Sequence, residues 1–143
     1  MIEMLVRMGV IVICAGGGGI PVVSRQDGSL LGVEAVIDKD RAGSLLAREL
    51  HAQAYLMLTD VKAVYVNWGE PAARAIHSAS PDALEQLRLA SGSMEPKIEA
   101  ACEFVRKTGG TAAIGSLEDA SDILWQDAGT IIAPDVDGIE WYE

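Results

Sequence analysis

A chain of 143 residues, half of them hydrophobic, is one domain's worth of sequence and long enough to bury a core. Its formal net charge of −10 excludes the basic footprint through which proteins neutralise nucleic-acid phosphates or anionic membranes. No apolar run approaches the roughly 20 residues of a membrane span, and residues 1–14 lack the layout of a signal peptide, so a soluble, cytoplasmic protein is expected.

Residues 2–8 read as a short helix stopped by Gly9. The β-branched run 10–14 reads as a buried central strand, with Cys14 as a small core residue. Four consecutive glycines follow, Gly16, Gly17, Gly18 and Gly19. They suit a backbone that approaches a ligand closely and offers N–H groups to an anion, with a flexible turn as the alternative. No Gly-Lys-Ser/Thr follows, so P-loop chemistry is unsupported. Residues 22–37 form a hairpin closed at Asp27-Gly28. Residues 38–50 are a helix with Ala42, Leu45, Leu46 and Leu50 on one face, and 54–58 are an apolar strand ending in Thr59-Asp60-Val61. Residues 64–66 are extended, and Ser80-Pro81 opens a helix reaching to about residue 90. A further helix begins around Pro96, buries Ile98, Ala101, Cys102 and Val105, and ends at Gly109-Gly110. A strand at 111–115, a helix at 117–125 and a strand at 129–133 close the pattern, leaving a loosely held acidic tail at 134–143. Alternating strands and helices predict an α/β fold, a three-layer αβα sandwich with a mainly parallel sheet.

The chemistry concentrates where strands empty into helix starts, the edge at which open α/β sheets collect ligands. Lys39 lies between Asp38 and Asp40, and Lys97 sits in the first turn of its helix. A cation is disfavoured at both places by a few tenths to about 1 kcal/mol, and a bound phosphate would reverse the sign. Phosphoryl transfer requires positive charge, a Mg²⁺ clamp and in-line positioning rather than covalent help from protein. Lys39 and Lys97 could supply the charge, while Asp38, Asp40 or Asp60 could orient a lysine or hold the metal. His51 and His77 are isolated, and neither Cys14 nor Cys102 has metal-ligand spacing.

The motifs Ala15-Gly-Gly-Gly-Gly-Ile-Pro-Val22, Gly32-Val-Glu-Ala-Val-Ile-Asp-Lys-Asp40, Leu58-Thr-Asp-Val61 with Val64-Tyr65, and Gly92-Ser-Met-Glu-Pro-Lys97 resemble carbamate kinase in order and approximate spacing. So do the closing Ser116-Leu-Glu and Gly129-Thr130. The resemblance implies the amino-acid-kinase fold, apparently truncated at the N-terminus, with residues 1–133 as its ATP-side half. It implies interconversion of ATP plus carbamate with ADP plus carbamoyl phosphate, using Mg²⁺. Under it, Gly16–Gly19 lie beside the transfer centre, and Lys39 stabilises the transferred group with Asp38 or Asp40 as organising acid. Thr59, Asp60, Val61, Tyr65 and Met94 line the nucleotide pocket, and Lys97 contacts the ATP phosphates. No residue is singled out as a metal ligand. The connection 87–92 is shorter than the family's. With half the family's length absent, the alternative is a nucleotide-binding or subunit-interaction module. Either form is expected to self-associate through the exposed strand edge at 10–14, or to take a partner supplying the missing half.

Overall fold

The computed structural model describes residues 1–87 and 92–143. The elements run α1 (Ile2–Arg7), β1 (Val22–Ser24), β2 (Leu30–Gly32), α2 (Lys39–Glu49), β3 (Ala54–Thr59), β4 (Val64–Val66) and β5 (Arg74–Ala79). They continue with α3 (Pro81–Gln86), α4 (Met94–Thr108), β6 (Thr111–Ser116), α5 (Ala120–Leu124), β7 (Thr130–Ile132) and β8 (Ile139–Trp141).

The main sheet has the order β3-β6-β7-β5-β4, with β8 also pairing β5. The α/β architecture is as expected, and the sheet is mixed. β3 runs parallel to β6 and β5 parallel to β7, whereas the β6·β7, β4·β5 and β5·β8 pairs are antiparallel. Successive side chains of a strand point to opposite faces, and both faces here are covered. On β6, Ala112 and Ile114 enter the larger core with Phe104, Val105, Ile98 and Leu84, while Ala113 joins Ile123 and Ile131 beneath α5. That two-sided burial is why β6 reads as a continuous apolar run. Among the strands, Thr130 acts as a polar strut. Fully buried, its hydroxyl accepts from Val64 N–H at 2.8 Å and donates to the Ile76 carbonyl at 2.6 Å.

α4 is the helix around which the larger core forms. Pro96 lies in its first turn, where a missing N–H costs nothing, and Gly109 ends it in the left-handed conformation at φ +70°. Ile98, Ala101, Cys102, Phe104 and Val105 form its buried side. Complete burial of Phe104 alone is worth about 1.5–3 kcal/mol.

Several expectations need correcting. Residues 10–14 form no strand: Ile11 is 94% and Ile13 99% exposed, and Cys14 is on the surface. β-branched composition favours extended backbone, but a strand exists only when a neighbour satisfies its N–H and C=O groups. The hairpin forms at Asp27-Gly28 but spans only Val22–Ser24 and Leu30–Gly32. The tail is not loose. β8 pairs with β5, the Tyr142 hydroxyl donates to the Gly129 carbonyl at 2.7 Å, and the Arg74 guanidinium lies 4.4 Å from the Trp141 ring centre. β5 itself carries no strand signal in the sequence reading. Its Arg74, His77 and Ser78 interrupt the apolar pattern, yet it lies inside the sheet. α3 stops at Gln86, and the remainder of the helix expected to residue 90, with most of the short connection, lies outside the described residues. α5 is limited to Ala120–Leu124.

Candidate functional site

α2 and α4 pack side by side with the same polarity. Four cross-helix pairs in register establish this: Asp40 with Lys97, Arg41 with Glu99, the Ser44 hydroxyl with the Ala100 carbonyl, and Arg48 with Glu103. Each helix returns to its strand by a short connection, residues 50–53 and 109–110, so the two N-termini lie together. The positive ends of both helix dipoles therefore converge.

Asp40 occupies this meeting point. Its side chain is 10% exposed, and that of Lys97 only 12%. Lys97 Nζ donates to Asp40 Oδ2 at 2.9 Å and Oδ1 at 3.1 Å, while Lys39 Nζ donates to Oδ2 at 3.2 Å. The two first-turn lysines that run against their helix dipoles thus share one buried carboxylate. Asp40 offsets their unfavourable placement, and the Lys39 side chain remains 58% exposed. The hydrogen bond and charge of Asp40 raise the Lys39 pKa above its ordinary value, so that lysine stays charged at neutral pH. Asp38 has a different task from Asp40. Its carboxylate caps α2, accepting from the Asp40 and Arg41 N–H groups at 2.9 Å each. Those bonds, Arg41 N–H foremost, hold its pKa below the ordinary carboxylate value.

The glycine loop lies against the entrance to α2. A side-chain carbon on Gly18, at φ +133°, would collide with the Ile37 carbonyl and sit 3.6 Å from the Lys39 nitrogen. Glycine is needed there by close backbone approach as well as by φ. Gly16 is also left-handed at φ +72°, and Gly16 and Gly17 face open space. Gly18 and Gly19 wall a groove of about 580 Å³ against Ile37, Arg41 and Leu45.

Thr59 ends β3, with its hydroxyl donating to Asp60 Oδ1 at 3.0 Å; Asp60 is exposed and Val61 half-buried. Tyr65, in tilted contact with Trp68 with ring centres 4.7 Å apart, lines a cavity of about 320 Å³. Lys62, Asp119, Asp127 and Tyr142 share that cavity. The sequence reading singled out none of these four; Tyr142 lies in the tail expected to be loose. Lys62, two residues past the acid at a strand end, is the one that carried a local signal. Met94 packs against the larger core rather than standing free. The structure therefore joins Asp38, Lys39, Asp40 and Lys97 with the glycine loop in one cluster, and sets Tyr65 in a separate cavity.

The model for the amino acid kinase family matches residues 1–116. The carbamate kinase of Haemophilus influenzae is 50% identical over 141 residues, which is 99% of this chain and 46% of that protein. The carbamate kinase of Rhizobium meliloti is 45% identical over 143 residues, 99% of this chain and 44% of that protein. The chain thus spans about half the length of the curated relatives it matches. Among solved structures, carbamate kinase from Giardia lamblia bound to AMP-PNP superimposes with a TM-score of 0.87 at 39% identity, over 94% of this chain and 48% of that one. UMP kinase from Bacillus anthracis, at 16% identity and a TM-score of 0.66, shares the fold.

Proposed function

The chain belongs to the amino acid kinase family, and we propose that it carries the nucleotide side of a carbamate kinase-type phosphotransferase. The reaction would interconvert ATP plus carbamate with ADP plus carbamoyl phosphate. The observation that carries this reading is the convergence of Lys39 and Lys97, from the first turns of two parallel helices, on buried Asp40. ATP, when bound with Mg²⁺, would supply the phosphoryl group, or ADP would accept it from carbamoyl phosphate, and the ion would neutralise part of its charge. Lys97 offers its ammonium to the nucleotide phosphates and Lys39 to the transferred group, and Asp40 holds both at fixed spacing. Asp38 fixes the turn that presents Lys39, and the loop 16–19 offers backbone N–H groups beside it. Tyr65 and its cavity suit the nucleoside, and Thr59, Asp60 and Val61 lead directly in sequence into Lys62 of its lining, while Met94, at the start of α4, stays against the larger core. Among the described residues no group of three or more His, Cys, Asp or Glu could hold a metal ion. Mg²⁺ would accordingly ride on phosphate oxygens with at most a carboxylate or two, its usual mode.

The chain spans 46% of the length of the first of these relatives, and the residues in it are proposed to supply the nucleotide side of that reaction. No helix among the described residues is long and apolar enough to cross a membrane. The test is ADP titration together with ATP formation from ADP, Mg²⁺ and carbamoyl phosphate. Lys39→Ala or Lys97→Ala is expected to weaken binding and to lower any turnover about 10²–10³-fold. ADP affinity unmoved by both substitutions would overturn the reading. ADP binding that depends on the lysines, without turnover, identifies the retained nucleotide half.

A further inference from the structure

Beneath the first turns of α2 lies a group that the lysine cluster does not itself require. Tyr55, on β3, sends its hydroxyl to the Asp40 backbone carbonyl at 2.9 Å. A carbonyl oxygen has two lone pairs, so this bond can coexist with the one inside the helix. The ring is held from the other side by Phe104 of α4, with centroids 5.7 Å apart. Tyr55, on β3, therefore touches both helices that meet at Asp40.

Gly43 makes room for it. A side-chain carbon at that position would lie 2.6 Å from the Tyr55 hydroxyl oxygen and 3.3 Å from the ring carbon that bears it. Glycine in a helix interior is unfavourable by propensity, and here the space it leaves is filled by the phenol. Burial, with the charges of Asp40 and Asp38 adding to it, pushes the Tyr55 pKa up to about 12, so the phenol remains a donor at working pH. A phenylalanine would fill the same core space. The hydroxyl and the mid-helix glycine together are explained by the bond to Asp40.

We propose that Tyr55, seated in the gap left by Gly43, is a positioning residue that acts through Asp40 to hold the Lys39 and Lys97 ammonium groups. Its consequence for nucleotide binding rests on the function proposed above; its effect on the lysines does not.

The experiment is Tyr55→Phe, read first by the ¹⁵N ammonium signals of the four lysines in the ligand-free chain. Lys97, the deeply set one with two bonds to Asp40, is expected to exchange slowest in the wild type. Tyr55→Phe should speed that exchange and shift the Lys39 signal, while leaving Lys107, which pairs with Glu103 at the opposite, C-terminal end of α4, unchanged. Gly43→Ala, which displaces the phenol, should reproduce the effect and add nothing to Tyr55→Phe. ADP affinity of Tyr55→Phe is expected to fall about five-fold, the worth of one neutral hydrogen bond. A Tyr55→Phe chain with wild-type Lys97 exchange would overturn the proposal, whatever its thermal stability. A wild type that ignores ADP, combined with the expected ammonium changes, would remove the nucleotide reading and leave the positioning role standing.

Discussion

Residues 1–37 and residues 38–143 are built from similar apolar material and meet opposite fates. The first region contains α1, the segment 10–14, the glycine loop and the hairpin, and not one of its residues is buried. Ile11, Ile13, Ile20 and Met1 are each at least 86% exposed. The second region buries Phe104, Ile76, Ile114, Ile132 and Val64 completely. The hydrophobic effect rewards only surface that is actually removed from water, and removal needs a facing element. β6 has β3 and β7 beside it and helices on both faces. Residues 10–14 have no strand beside them among the described residues.

The comparison can be broken most forcefully in the core. Phe104→Ala removes a fully buried ring at the junction of α4, β3 and the sheet. It is expected to cost about 3–5 kcal/mol in urea unfolding. A loss below 1 kcal/mol would mean that the second region is not the cooperative unit.

A smaller effect sits at the boundary between the regions. Asp38→Ala removes the cap of α2 and should cost about 1 kcal/mol. Because the folded-state pKa of Asp38 lies below its ordinary 3.8, the cap's contribution is complete above that pH and disappears as pH falls through the lower folded value. The gap in stability between wild type and Asp38→Ala should therefore close under strong acid. Glu85, bonded to Arg106, and Glu103, bonded to Lys107, are also lowered from 4.5 and add to the same acid loss in both proteins. A gap that does not narrow at all as the pH is lowered below 3.8 would deny the cap its charge.

The smallest effect is the sharpest test of the first region. Ile13→Ser should change stability by no more than about 0.5 kcal/mol, as an exposed substitution does. If the chain associates through this segment, the same change should instead lower its sedimentation mass. A loss of several kcal/mol in a monomer would show that residues 10–14 are covered after all.

The candidate site was more legible than the sheet around it. Lys39 and Lys97 announced themselves because a cation in a helix's first turn opposes the dipole, a local conflict visible in the order of residues. Asp38, read from the sequence as an acid that could orient a lysine or hold the metal, caps α2 in the structure. That both lysines would turn to Asp40 could not be read, since it depends on α2 and α4 lying parallel 57 residues apart in sequence. Tyr55 was silent for the same reason: an alternating apolar strand does not reveal which residue faces a helix, nor that Gly43 leaves it room.

Local chemistry thus determined the helix caps, the Asp27-Gly28 turn, the apolar face of α4 and the residue types of the site. These depend on neighbours within a turn or two, where spacing in sequence is spacing in space. Tertiary structure alone decided that residues 10–14 stay in water, that polar β5 enters the sheet and that the acidic tail supplies a strand. Pairing and burial are set by which surfaces meet, and a strand's own residues do not carry the identity of its neighbour.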